Sequence, residues 1–217
     1  MVFKKSTKIG VIVGLNREKK SIPNHKNIIV ESGYSFNAYL ATKKLIIQNV
    51  DLIVNFGFAG ALTNNLKNCD ILIPKKICNE NFSFKNNSNL LSIYFKKKIN
   101  EKVKTENLLT SKKILKKISR NKKVSAVDME AFYAYKAASE GKIPFVSIKV
   151  IFDDSDNPIP EFIIKSLNSE GNLRYIQLFL ELLARPFDVF RLIRINKLYR
   201  KSIVKLEKVA NKIFLDN

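Results

Sequence analysis

The chain of 217 residues contains one histidine, His25, and two cysteines, Cys69 and Cys78. Neither cysteine stands in a CxxC pair. A zinc site and a disulfide framework therefore both lack ligands, and two reduced thiols in or near a core is the simpler reading. No metal or cofactor is expected. With only 7 Gly and 6 Pro, a long flexible linker and a low-complexity tract are excluded. No segment approaches the roughly 20 apolar residues of a membrane span. No N-terminal apolar stretch is long enough for a signal peptide, so the expected location is the cytoplasm.

Negative charge is also scarce. Nineteen Asp and Glu face 39 Lys and Arg, a net charge of +20. A nucleic-acid binder would gather such charge on one face among aromatic residues, but no RRM, KH, helix-turn-helix or zinc pattern appears, so nucleic acid is not the expected partner. A protein on an anionic membrane would carry the charge on amphipathic helices. The third reading is a solvated Lys-rich surface, which suits runs such as Lys96-Lys97-Lys98 and Lys116-Lys117. Hydrophobic residues make up 46% of the chain, enough for a sizeable core in one α/β domain.

Buried strands are expected at 8–14, 28–30, 52–56, 70–74 and 144–152, where short β-branched runs end in glycine or polar residues. Weaker strands are read at 90–95 and 107–110. Helical spacing is read over 35–48, with Ser35 as N-cap and Phe36, Leu40, Leu45 and Ile46 on one face. It is also read over 111–119 and 125–140. This order implies a sheet with some parallel pairing.

Ligands of open α/β sheets bind beyond the carboxyl ends of the strands. Asp153 is the first polar residue after the apolar run Pro144–Phe152, and Glu130 lies on the preceding helix. Two such carboxyl groups facing one cleft suit cleavage of a glycosidic bond. One protonates the leaving base, and the other holds sugar hydroxyls as positive charge develops. The acid role needs a raised pKa, which a half-buried strand end favours. The competing reading makes Asp153 to Asp156 turn formers and Glu130 an exposed helical residue.

Four stretches carry a resemblance. Ser125-Ala126-Val127-Asp128-Met129-Glu130-Ala131 resembles the V-[DE]-M-E-[AS] segment of the purine and uridine phosphorylase superfamily. Pro144 to Asp154 resembles its P-F-x-x-[VI]-[RK]-x-I-S-D segment, at a fitting distance. Asn55 to Leu62 with Asp70 to Pro74, and Lys8 to Glu18, are similar to its glycine turn and opening strand. The resemblance implies a three-layer α/β/α nucleoside phosphorylase-like fold with a central mixed sheet. The core would span 1–160, with basic helices over 161–217 completing the domain.

Two branches are similar at this length. They are the methylthioadenosine/S-adenosylhomocysteine nucleosidases and the hopanoid-associated proteins resembling adenosylhopane nucleosidases. The Gly14–Glu18 turn and the basic tail with Arg185-Pro186 look more like the second branch. The resemblance implies that Asp153 protonates purine N7 and that Glu130 accepts from the ribose hydroxyls, with Met129 against the sugar. It implies that Glu18 orients or deprotonates water, and that Gly57, Ala59 and Gly60 let backbone approach the sugar or nucleophile. Thr110 and Ser111 fall where the family lines the purine pocket. Phe152 and Phe58 replace smaller residues beside the site. With no arginine-rich phosphate clamp, hydrolysis is expected over phosphorolysis. A small-molecule nucleoside is the implied substrate and a homo-oligomer the implied assembly.

The region from Phe187 onward reads as one or two amphipathic basic helices. They are expected to pack on the sheet with a solvated Lys face. The alternative is a peripheral contact with the inner membrane, which suits a lipid-linked nucleoside.

Overall fold

The computed structural model describes residues 6–112, 115, 123–154, 158–160, 162–163, 166, 174–184 and 187–215. Among the described residues, ten strands form one mixed sheet. They are β1 (Ile9–Val13), β2 (Ile28–Ser32), β3 (Leu52–Ala61), β4 (Ile71–Leu72), β5 (Lys76–Cys78), β6 (Phe84–Asn86), β7 (Val103–Lys104), β8 (Leu108–Thr110), β9 (Ala126–Asp128) and β10 (Phe145–Ile151). The helices are α1 (Asn16–Lys19), α2 (Asn37–Ile47), α3 (Asn89–Ile99), α4 (Ala131–Glu140), α5 (Tyr175–Ala184) and α6 (Asp188–Phe214).

Strand β3 organises the sheet. Its first part lies parallel to β1 and β10, and its last residues pair antiparallel with β9, Gly60 opposite Val127. All seven residues of β10, which lies parallel to β3 and antiparallel to β4, are buried, as a central strand covered on both faces requires. On one face, Ala38, Ala41 and Leu45 of α2 pack with Ala131, Ala134 and Ala138 of α4. On the other, Leu91, Phe95 and Ile99 of α3 pack with Leu206, Val209, Ile213 and Phe214 of α6. Phe214 meets Phe56 edge-on, ring centroids 5.8 Å apart. Each large apolar side chain buried this way contributes roughly 1.5–3 kcal/mol, so the second half of α6 is core rather than an appended tail.

Several expectations are corrected. The run Leu90 to Phe95 is helix α3, not a strand, because Leu91, Phe95 and Ile99 recur at helical spacing and Ser88 caps the start by accepting from Leu91 N. The helix expected over 125–140 is split, with 126–128 forming β9 and the helix starting at Ala131. Ser35 does not cap α2. It has φ 54°, and the helix starts at Asn37 after Phe36. The inner face of α2 is Ala38, Ala41, Thr42 and Leu45, while Phe36 and Leu40 are exposed. The helix expected over 111–119 lies mostly outside the described residues.

Candidate active site

Four acidic residues border one cleft of about 340 Å³; besides Asp128, whose side chain is fully buried behind it, three carboxylates from three parts of the chain line it. They are Glu18, Glu130 and Asp153. A cavity of this size suits a nucleoside-sized ligand.

Glu18 sits in the short helix α1 after β1. It is buried and accepts from Leu15 N at 2.8 Å and from Phe58 N at 2.7 Å. It occupies space that a side chain at residue 57 would need. Gly57 has φ 150°, and a β-carbon there would lie 2.7 Å from Glu18 Oε1. Both observations require glycine. Burial raises the Glu18 pKa, opposed by the charge of Lys149 and by backbone N–H donors.

Glu130 is the N-cap residue of α4 and is buried, which overturns the exposed-helix reading. Its Oε2 accepts from Met129 N at 3.3 Å. It lies against Gly14, where a β-carbon would approach Oε1 to 2.6 Å. Burial pushes its pKa up to about 8, helped by the charges of Asp128 and Glu18 and opposed by Lys149.

Asp153 lies two residues beyond the end of β10, after Phe152. Its backbone is pinned to the end of β3, with Phe152 N donating to Ala59 O and Ala61 N to Asp153 O. Burial raises its pKa to about 6, and the neighbouring Asp154 adds to the rise. Asp154 turns elsewhere, its Oδ2 accepting from Asn68 N at 2.9 Å. Among the described residues of the acidic run after β10, Asp153 is thus the one that lines the cleft.

Phe58, Ala59, Gly60, Met129 and Phe152 also line the cleft. Gly57 stands behind Glu18. Thr110 and Ser111 are not among the described lining residues. Thr110 Oγ1 donates to Asp128 Oδ1 at 2.7 Å, and Ser111 Oγ donates to Glu80 at 2.9 Å. Both side chains are thus engaged with neighbouring acidic groups.

Sequence reasoning missed two groups. The first is Asp128 and Lys149, an ion pair at 2.8 Å whose side chains are 0% and 1% exposed. Burial lowers the Lys149 pKa, but Asp128, Glu130 and Glu18 together outweigh it, and the net shift is upward. A lysine inside the apolar run Phe145–Ile151 was an available signal, because a buried charge must be paired. The second is the wall contributed by α6, namely Leu192, Ile195, Asn196 and Tyr199. Tyr199 closes an aromatic cluster with Phe58 and Phe152, at 6.1 Å from each ring. Phe58 and Phe152 lie 5.8 Å apart. The two bulky replacements beside the site thus contact each other and Tyr199.

Among the described residues, no group of three or more His, Cys, Asp or Glu is arranged to hold a metal ion. No described helix is long and apolar enough to cross a membrane.

The fold is the nucleoside phosphorylase-like fold of solved nucleosidases. No protein-family model matches the chain. The 5'-methylthioadenosine/S-adenosylhomocysteine nucleosidase of Buchnera aphidicola subsp. Schizaphis graminum is 35% identical over 133 residues. That alignment covers 49% of this chain and 57% of the relative. The nucleosidase of the same name from Buchnera aphidicola subsp. Baizongia pistaciae is 27% identical over 225 aligned positions, covering 80% of this chain and 84% of the relative. The Helicobacter pylori 5'-methylthioadenosine/S-adenosyl homocysteine nucleosidase, solved with a pyrrolidine-containing ligand, superposes with a TM-score of 0.68. It is 16% identical, and the match covers 99% of this chain and 100% of that structure.

Proposed function

We propose that this chain is a nucleosidase that cleaves the N-glycosidic bond of a 5'-modified adenosine and releases adenine. The observation that carries the reading is the convergence of Glu18, Glu130 and Asp153 on one nucleoside-sized cleft. The two Buchnera relatives bear the name of such an enzyme.

Asp153 is the general acid that protonates purine N7, since a carboxyl pKa near 6 keeps a proton available close to neutral pH. Glu130 accepts from the ribose hydroxyls, with Met129 against the sugar, and stabilises the positive charge that develops on the ring. Glu18 takes the proton of the attacking water. Buried between backbone donors, it is fixed in place and basic enough for that task. Ala59 and Gly60 leave room for the sugar.

The experiment is incubation of the protein with methylthioadenosine, adenosylhomocysteine and a lipid-linked adenosine, with and without phosphate, followed by detection of adenine. Adenine and a free ribosyl product are expected without phosphate. Release of a ribose 1-phosphate instead would transfer the chain to the phosphorylases, and no adenine from any substrate would end the nucleosidase reading.

The narrower likeness to the hopanoid-associated branch, and with it a peripheral membrane contact, is also part of the proposal. Ile176 on α5, with Phe187 and Phe190 beside and on α6, are 80%, 84% and 73% exposed. Arg191, Arg194 and Lys197 stand exposed among them, a combination suited to an anionic lipid surface. Flotation with anionic liposomes at low salt tests this, and failure to float removes it. A homo-oligomer is the assembly the resemblance implies, and light scattering of the eluted protein tests it.

A further inference from the structure

We propose that Asp128 is a positioning residue for Glu130, acting through Lys149 and through the first turn of α4. The proposal rests on the reading that Glu130 holds the sugar.

The Asp128 side chain is fully buried, so its charge must be met by partners. Three are present. Thr110 Oγ1 donates to Oδ1 at 2.7 Å, Ala131 N donates to Oδ2 at 2.9 Å, and Lys149 Nζ lies 2.8 Å from Oδ2. Two of these partners lead to Glu130. Ala131 is the residue after Glu130, so anchoring its N–H fixes the backbone from which the Glu130 side chain departs. Lys149 Nζ also lies 3.5 Å from Glu130 Oε2 and stands between the two carboxylates. Thr110 adds a third tie, since its hydroxyl accepts from Phe132 N at 2.9 Å while donating to Asp128.

The charges point the same way. Glu18, Asp128 and Glu130 surround one ammonium group. Without Asp128, Lys149 has Glu130 as its nearest remaining carboxylate and would draw it away from the cleft. With Asp128 held by Thr110 and α4, Lys149 is shared and Glu130 keeps its place. Partners one contact removed from a functional group commonly tune it in this way.

The test compares Asp128→Asn with Thr110→Val and Thr110→Ser. Glu130 is titrated by carbon NMR on side-chain-labelled glutamate, assigned with Glu130→Gln, and adenine release is measured alongside. Asp128→Asn removes a negative neighbour and frees Lys149 for Glu130, so Glu130 should titrate at clearly lower pH than in the unmodified protein. Thr110→Val should move it in the same direction by less, and Thr110→Ser should leave it in place. The ratio kcat/KM should fall about 100-fold in Asp128→Asn, the scale of a misplaced binding group, and by less in Thr110→Val, a loss that Thr110→Ser, with its hydroxyl, should largely recover. If Asp128→Asn does not fold, the comparison of the isosteric Thr110→Val with Thr110→Ser decides. An unmoved Glu130 titration overturns the proposal, whatever happens to the rate. If the unmodified protein releases no adenine, the nucleosidase reading fails by itself and the titration still decides the positioning role.

Discussion

A β-carbon at residue 60 would lie 2.7 Å from Oδ1 of Asp153, so the position of that carboxyl group depends on Gly60 having no side chain. The same relation joins Gly14 to Glu130 and Gly57 to Glu18. Glu18, Glu130 and Asp153 each rest against a glycine. Gly60→Ala should therefore displace Asp153 while β3 and β9 still pair. A fall in kcat/KM of about 100-fold is expected, with a stability loss of about 1–3 kcal/mol from overpacking. Adenine-release kinetics and denaturant unfolding measure the two. Normal turnover in this variant would show that the acid need not stand where it does.

Asp153 itself trades stability for function. Its pKa rises from 3.8 to about 6 on folding. A raised folded-state value means that the folded chain binds the proton more tightly. The associated stability is full below about pH 4 and is lost as pH rises through about 6. Asp153→Asn removes the ionisation, so it should abolish adenine release and yet stabilise the protein at pH 8 by about 1–3 kcal/mol, the lower end allowing for partial exposure. The gain should vanish near pH 4. In the unmodified protein the basic limb of kcat/KM should bend near pH 6. Melting curves and rates across this pH range check both, and a destabilised Asp153→Asn at pH 8 would contradict the argument.

Much of this was legible in the sequence where one signal dominated. Strands β3 and β10 announce themselves as apolar β-branched runs, and Asp153 follows as the first polar residue at a strand end. The segment of α3 was misread because Leu90-Leu91-Ser92-Ile93-Tyr94-Phe95 has the composition of a strand. Its helical spacing shows only when Ile99 is added. Glu130 sits on a boundary where β9 gives way to α4 within three residues, and helical periodicity alone extended the helix back over the strand. Tyr199 lies far along the chain from every motif, so its place beside Phe58 and Phe152 depends on tertiary packing that no local pattern encodes.

The second half of α6 is fastened to the end of α3 by one carboxylate. Glu101 accepts from Lys205 and Lys212, the latter at 2.9 Å, and Lys208 stands 3.4 Å away. The two lysine hydrogen bonds hold its pKa down to about 2. A depressed folded-state value gives stability that is present above the ordinary carboxylate range and is lost as pH falls toward 2. Glu101→Gln should cost about 1 kcal/mol at neutral pH, the scale of a partly exposed charge network. The difference should shrink in 1 M salt, where screening acts within about 3 Å. Chemical unfolding at two salt concentrations tests this, and a salt-independent difference would assign Glu101 a packing role instead.

Tyr199 brings α6 to the cleft wall through two ring contacts, with Phe58 and Phe152 at 6.1 Å each. Aromatic pairs of this geometry contribute about 0.5–1.5 kcal/mol each beyond their buried area. Tyr199→Ala removes both and leaves Phe58 and Phe152 loose at the mouth of the site, next to Glu18, whose Oε1 takes the Phe58 N–H. The Michaelis constant for methylthioadenosine should rise about tenfold, the factor that 1.4 kcal/mol of lost binding gives. The chemical step should change less, because Asp153 and Glu130 are held by β3, β10 and α4 rather than by α6. Tyr199→Phe retains the ring and should behave as the unmodified protein. If instead the phenylalanine variant fails as badly as the alanine variant, the hydroxyl matters more than the stacking, and its neighbours Arg17 and Glu18 become the residues to change next.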